Sequence, residues 1–189
     1  MTVKTTNQDM RARPIVSCVE ETADGWQERK RYALRDFLRM RAAKPLRPLY
    51  DHWTRTGRRT PDLEFLRVWK PEIAEAVAAI VDVDEIPDPL DYRIVWHRSR
   101  PIGCDGEWEG KALREFEAGD HFIYCAIEYL DCRVTGAPQC HIIEHSVGGV
   151  HRFYARIVLP CFDSFGEVFR LCVGSTTFEP STGGSGLYG

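Results

Sequence analysis

The run Cys140-His141-Ile142-Ile143-Glu144-His145-Ser146-Val147-Gly148-Gly149-Val150-His151-Arg152-Phe153-Tyr154-Ala155-Arg156-Ile157-Val158-Leu159 reads as two antiparallel strands around a two-residue turn. A primed turn needs positive φ at both central positions, which Gly148 and Gly149 supply without steric cost. Such a turn sets the register, with Val147 facing Val150, Glu144 facing Phe153 and Cys140 facing Ile157. One sheet face then carries Cys140, Ile142 and Glu144 with Ile157, Ala155 and Phe153. The other carries His141, Ile143 and His145 with Arg156, Tyr154 and Arg152. The first face is the more apolar and is expected to face the core, because a strand buries one of its two parities.

Working outward, residues 167–178 form a third strand in antiparallel succession. Upstream, Asp120 can cap a helix whose Phe122, Ile123, Ala126, Ile127 and Leu130 recur at helical spacing. Residues 98–118 are rich in glycine and charge and hold short helical pieces at most. Before them, Val77, Ala79, Val81 and Val83 alternate as a strand, and Pro87-Asp88-Pro89 makes a turn. In a second strand, Tyr92, Ile94 and Trp96 alternate with Arg93, Val95 and His97. Nearer the start, Ala33, Leu34, Phe37, Leu38 and Ala42 lie three and four apart among Arg29, Lys30, Arg31, Arg35 and Arg39. This predicts an amphipathic basic helix capped by Asp24 and stopped at Pro45 and Pro48, with a short helix from Pro48 through Trp53 to about Thr56. The expected division is a leader over 1–24, an N-terminal helical extension over 25–60, a domain over 61–180 and a tail over 181–189.

Composition supports a packed core: 43% of the 189 residues are hydrophobic and 28% charged. The longest unbroken apolar run, Ala76 to Val81, falls far short of the roughly 20 residues a membrane-spanning helix needs. The opening MTVKTTNQDM has no apolar signal-peptide core, so a cytoplasmic protein without membrane association is expected. The net charge of -3 hides an asymmetry, with 14 Lys+Arg against 7 Asp+Glu in residues 1–60 and 11 against 21 afterwards. Seven cysteines without CxxC spacing argue for free thiols, mostly buried as small apolar groups.

The order strand, strand, short helical segment, helix, three strands, with a helical lead-in, resembles the PAS domain. In particular it resembles a short bacterial stand-alone PAS subfamily first described as a domain of unknown function. The matching residues are Tyr50 and Trp53, Pro61, Ile80-Val81-Asp82-Val83, Tyr92-Arg93-Ile94-Val95, Gly106 through Gly110 with Lys111 and Leu113, Ala137-Pro138, and Leu159-Pro160. They span about residues 48–178. After the second strand this chain has His97-Arg98-Ser99 where such proteins usually turn with Gly-Thr. The resemblance implies an α+β fold, a five-stranded antiparallel sheet with helices on its inner face and an N-terminal helical extension. It further implies a sensory or protein-interaction module acting in trans in bacterial signalling, with a cavity that takes a small ligand.

Strand parity, helix period and the resemblance together give the candidate cavity lining: Trp96, Trp108, Phe116, Phe122, Ile127, Phe153 and Ile157, with His97 and Glu144 as polar groups at its edge. The outer sheet face, expected to carry Tyr154, Val158, Val168 and Cys172, needs cover. Leu34, Phe37 and Leu38 of the lead-in helix are the candidate cap and homodimer contact. No metal is expected. His-x-x-x-His at His141 and His145 would chelate on a helix, but on a strand the same spacing spans about 13 Å. Haem through His121 is the one cofactor option the resemblance leaves. Gly184-Ser185-Gly186-Leu187-Tyr188-Gly189 matches GxGxxG without the following helix that the motif needs. Two rival functions stay open: a small enzyme using Glu144 as acid or base, and a nucleic-acid binder through Arg29 to Arg41. The acidic body disfavours the second.

Overall fold

The structure, a computed structural model, describes residues 12–22, 25–98, 108–116, 120–147 and 150–178. It is α+β. Seven strands, β1 (Val16–Thr22), β2 (Gly25–Arg31), β3 (Val77–Asp82), β4 (Arg93–His97), β5 (Gln139–Val147), β6 (Val150–Phe162) and β7 (Val168–Thr177), form one antiparallel sheet in the order β1-β2-β5-β6-β7-β3-β4. The helices are α1 (Leu34–Phe37), α2 (Arg47–Arg55), α3 (Leu63–Trp69), α4 (Pro71–Ala76) and α5 (Asp120–Thr135). Among the described residues no helix is long and apolar enough to cross a membrane.

The β5–β6 register is the one the two glycines dictate: Val147 pairs with Val150, Glu144 with Phe153 and Cys140 with Ile157. Pro48 stands in the first turn of α2, where its missing N–H costs nothing, and the Asp62 side chain accepts from Phe65 N at 3.0 Å to start α3. Two expectations change. The sheet has seven strands rather than five, because residues 16–22 and 25–31 pair as a hairpin and β2 adds to β5, Gly25 opposite Val147 and Arg31 opposite His141. The basic helix expected from residue 25 is therefore a strand through Arg31. Its period-two arrangement buries Gln27 and Arg29 on one side, a tertiary demand that outweighs local helical spacing. The glycine turn at 148–149, Cys104, the cap at Asp24 and the GxGxxG segment lie outside the described residues.

Both faces of the sheet are covered. The segment from Tyr32 to Ala76 packs Phe37, Met40, Leu46, Leu49, Trp53 and Leu66 against Cys140, Ile142, Ala155, Ile157, Leu159 and Cys172. Trp53 Nε1 donates to Pro160 O at 2.9 Å, fixing α2 to β6. Gly174 permits this approach, since a Cβ there would stand 2.7 Å from Leu49 Cδ2 and 3.0 Å from Ile157 Cγ2. On the opposite face α5 lays Phe122, Cys125, Ala126, Tyr129 and Cys132 over Val81, Val158, Leu171 and Val173. Arg133 ties the end of α5 down, donating to Ile86 O and to Tyr92 Oη.

The face expected for α5 is thus the other one. The more apolar face is claimed by the lead-in, whose large side chains need it, and α5 covers the face bearing Arg156, Tyr154 and His141. Three register shifts, at Ala78, Val95 and Phe169, also break strict alternation. An extra residue in one strand reverses the parity beyond it. Hence Val77 faces the lead-in while Ala79 faces α5, Trp96 leaves the side of Ile94, and Leu171 parts from Phe169.

Candidate functional site

α5 carries two helical stripes that compete for burial. The buried one, Phe122, Cys125, Ala126, Tyr129 and Cys132, brings Glu128 with it, while Ile123, Ile127 and Val134 stand 46%, 53% and 75% exposed. Beneath the helix, β2, β5 and β6 present Arg29, His141 and Arg156. Glu128 is the meeting point. Its Oε2 accepts from Arg156 Nη2 and lies 3.7 Å from Arg29 Nη1, and its Oε1 lies 2.7 Å from His141 Nδ1. Arg29, Glu128 and Arg156 are all under one-tenth exposed. With its amide oxygen toward Arg29, Gln27 accepts from Arg29 Nε at 2.6 Å, and the guanidinium lies 4.9 Å from the centre of the Tyr124 ring.

One turn before Glu128, the Cys125 Sγ lies 3.2 Å from Arg156 Nη1 and 3.6 Å from His121 Nε2. Burial alone would raise both acids. For Glu128, Arg156, His141 and Arg29 outweigh it and hold the carboxyl well below the ordinary range. For Cys125, burial is overcome by Arg156, with His121 and Arg29 adding to it, and the thiol is drawn down to about 5. Elsewhere burial prevails: Cys132, Cys140 and Cys172 are pushed well up and Cys161 to about 12. Burial also raises the phenols of Tyr129 and Tyr154. The arrangement therefore holds two guanidinium cations against one carboxylate and one acidic thiol, with an imidazole within reach of the sulfur.

The sheet divides the sequence-derived cavity set. His97, Trp108, Phe116 and Phe122 come together on the α5 side, where His97 stacks on Trp108 at 4.3 Å between ring centres, Trp108 meets Phe116 at 4.7 Å, and Phe116 stacks on Phe122 at 4.5 Å. Burial there lowers the His97 imidazole below its ordinary value. Trp96 and Ile157 belong to the lead-in side, Trp96 under the Arg67 guanidinium. Glu144 holds His151 Nε2 at 2.9 Å at the sheet margin, and Phe153 packs on His151 and Phe178. Ile127 points outward. Of the lining expected from the sequence, Trp96, Glu144, Phe153 and Ile157 thus lie on the sheet face away from α5, and Ile127 on the far side of the helix. Phe37 is fully buried with partly buried Leu34 and Leu38 packed around it, so this trio covers the chain's own core. His121, the haem option, lies against Cys125.

Two surface depressions are shallow: one of about 320 Å³ is lined by Thr60 to Glu64, Ile80, Val95, Trp96 and Arg170, and one of about 370 Å³ by Tyr50, Asp51, Thr54 and Arg55. Neither reaches Glu128 or Glu144. No three His, Cys, Asp or Glu among the described residues converge as a metal site.

The chain matches no family model, and comparisons with curated proteins and with solved structures return no match. Glu128 and Cys125 escaped the sequence reading because Ile123, Ile127 and Leu130 form the more apolar stripe. The signal that points to them is the hairpin's polar face: an arginine buried on a central strand needs an anionic partner, and Glu128 stands midway along the helix that follows the second strand pair.

Proposed function

We propose that the chain forms a PAS-like sensory or protein-interaction module that works as a homodimer. The observation that carries this reading is the outer stripe of α5, where Ile123, Ile127 and Val134 stand exposed along one line with half-buried Leu130. An apolar row that long on a helix already packed on its other face is suited to a partner. The partner proposed is the same stripe of a second copy, because two identical helices crossing near Ile127 match in length and spacing around a twofold axis.

Five contiguous strands, β5-β6-β7-β3-β4, with α5 on one face agree with the sheet that the PAS resemblance implies. The small-ligand part of that resemblance has less support, since His97, Trp108, Phe116 and Phe122 pack ring on ring. Nucleic-acid binding through the basic lead-in is disfavoured too: Arg29 meets Glu128, Lys30 meets Glu28 at 2.6 Å and Arg31 meets Asp131 at 3.4 Å. The test is light scattering after size exclusion. Wild type should weigh twice 21.7 kDa, and Ile127→Asp should be monomeric with an unchanged far-UV spectrum. A wild type that is monomeric at every concentration overturns the dimer.

A further inference from the structure

We propose that Cys125 is a hydroperoxide-reactive site, with His121 as its proton carrier and Arg156 as the electrostatic holder of the sulfur. Geometry sets this thiol apart from the other buried ones. Two guanidinium groups, Arg29 and Arg156, lie buried beside a single carboxylate, Glu128, and the group completing the charge balance at Arg156 is the Cys125 sulfur at 3.2 Å. Desolvated charge is tolerated only when paired, so the thiolate form is the one the surroundings favour. The thiol pKa, drawn down to about 5, agrees. His121 Nε2, 3.6 Å from the sulfur and one helical turn back, belongs to a half-buried residue that links the sulfur to the surface. The other titratable groups facing the sulfur from packed elements are Tyr129 on α5 and Tyr154 on β6.

In the proposed step the thiol proton passes to His121 Nε2. The thiolate attacks one oxygen of the hydroperoxide, an S–O bond forms and the O–O bond breaks. The departing oxygen leaves as hydroxide or alkoxide and takes the proton back from His121. The products are a sulfenic acid and water or an alcohol, the sulfur losing two electrons and the peroxide gaining them. At Cys132, Cys140, Cys161 and Cys172 burial outweighs whatever favours the thiolate, so they remain protonated and slow. The sulfenic acid is neutral, so oxidation withdraws one anion from a network that holds two guanidiniums under α5. This inference goes beyond the interaction module proposed above, and its readout is independent of the dimer.

The experiment treats the full folded chain with hydrogen peroxide in the presence of a dimedone-type trap, then maps the adducts by peptide mass spectrometry over time. Cys125 should be labelled roughly tenfold or more faster than Cys132, Cys140, Cys161 and Cys172, and His121→Gln should slow that labelling while leaving the far-UV spectrum unchanged. The comparison is internal to wild type, so it does not depend on a cysteine variant that folds. Labelling of Cys125 no faster than of those four overturns the proposal, and so does a rate that His121→Gln leaves unchanged.

Discussion

Replacing Glu128 with glutamine isolates what the buried carboxylate does for the fold. The substitution is nearly isosteric and keeps one acceptor for Arg156, but it removes the only carboxylate that, among the described residues, pairs with these two buried guanidiniums. Removing one partner of a buried ion pair costs about 3–5 kcal/mol, because the remaining charge stays desolvated and unanswered. Arg29 retains Gln27 and the Tyr124 ring, which places the expected loss near the lower end, about 3 kcal/mol. For a chain of this size each kcal/mol moves the midpoint by about 2–4 °C, so the melting temperature should fall by roughly 10 °C. Urea titration followed by tryptophan fluorescence measures the loss directly, provided the slope m is unchanged. The double variant Glu128→Leu/Arg156→Met should be less damaged than the two single losses added together, since contacting residues couple. A loss below about 1 kcal/mol for Glu128→Gln, or strict additivity in the double variant, would show that the network does not hold α5 to the sheet.

Two further outcomes are expected. Between about pH 5 and 9 the unfolded Cys125 thiol holds a proton that the folded one has lost, so its contribution to stability is full at the alkaline end and disappears as pH falls through about 5; the rise in urea midpoint with pH should flatten in Cys125→Ala, and an unchanged slope refutes the depressed thiol. Gly174→Ala forces a methyl to within 2.7 Å of Leu49 and should cost about 1–3 kcal/mol in urea titration without altering the far-UV spectrum; a variant as stable as wild type would mean α2 can retreat from β7.

Local chemistry made much of this fold readable. Gly148-Gly149 carried the β5–β6 register residue for residue, and Pro48 marked the start of α2. What stayed hidden depends on partners distant in sequence. Residues 25–31 have the charge of a solvated helix, and only the demand of Glu128, nearly a hundred positions away, gives Arg29 a reason to be in a strand. On α5 the choice between two stripes turned on which sheet face was left after the lead-in had taken the apolar one. The bulges at Ala78, Val95 and Phe169 carry no glycine or proline to announce them, so alternation misplaced Val77 and Cys172. Of the cavity set, the four residues that do meet are the aromatics and histidine near α5, while Glu144 was preferred to Glu128 because hairpin parity was visible and helix rotation was not.

The place of β2 in the sheet has a kinetic consequence. The β1–β2, β3–β4, β5–β6 and β6–β7 pairings join neighbours in the chain, whereas β2 meets β5 only by closing a loop of more than a hundred residues, Arg31 to His141 at its nearest pair. Long closures are the slow ones in folding, because the entropy is lost before the contacts are made. Arg29 therefore reaches Glu128 late, through one of the two long-range seams of the sheet, the other being β3–β7. The larger part of the thiol's acidity, from Arg156 on β6 and His121 on α5, thus does not wait for the N-terminal hairpin, whose docking adds the share of Arg29.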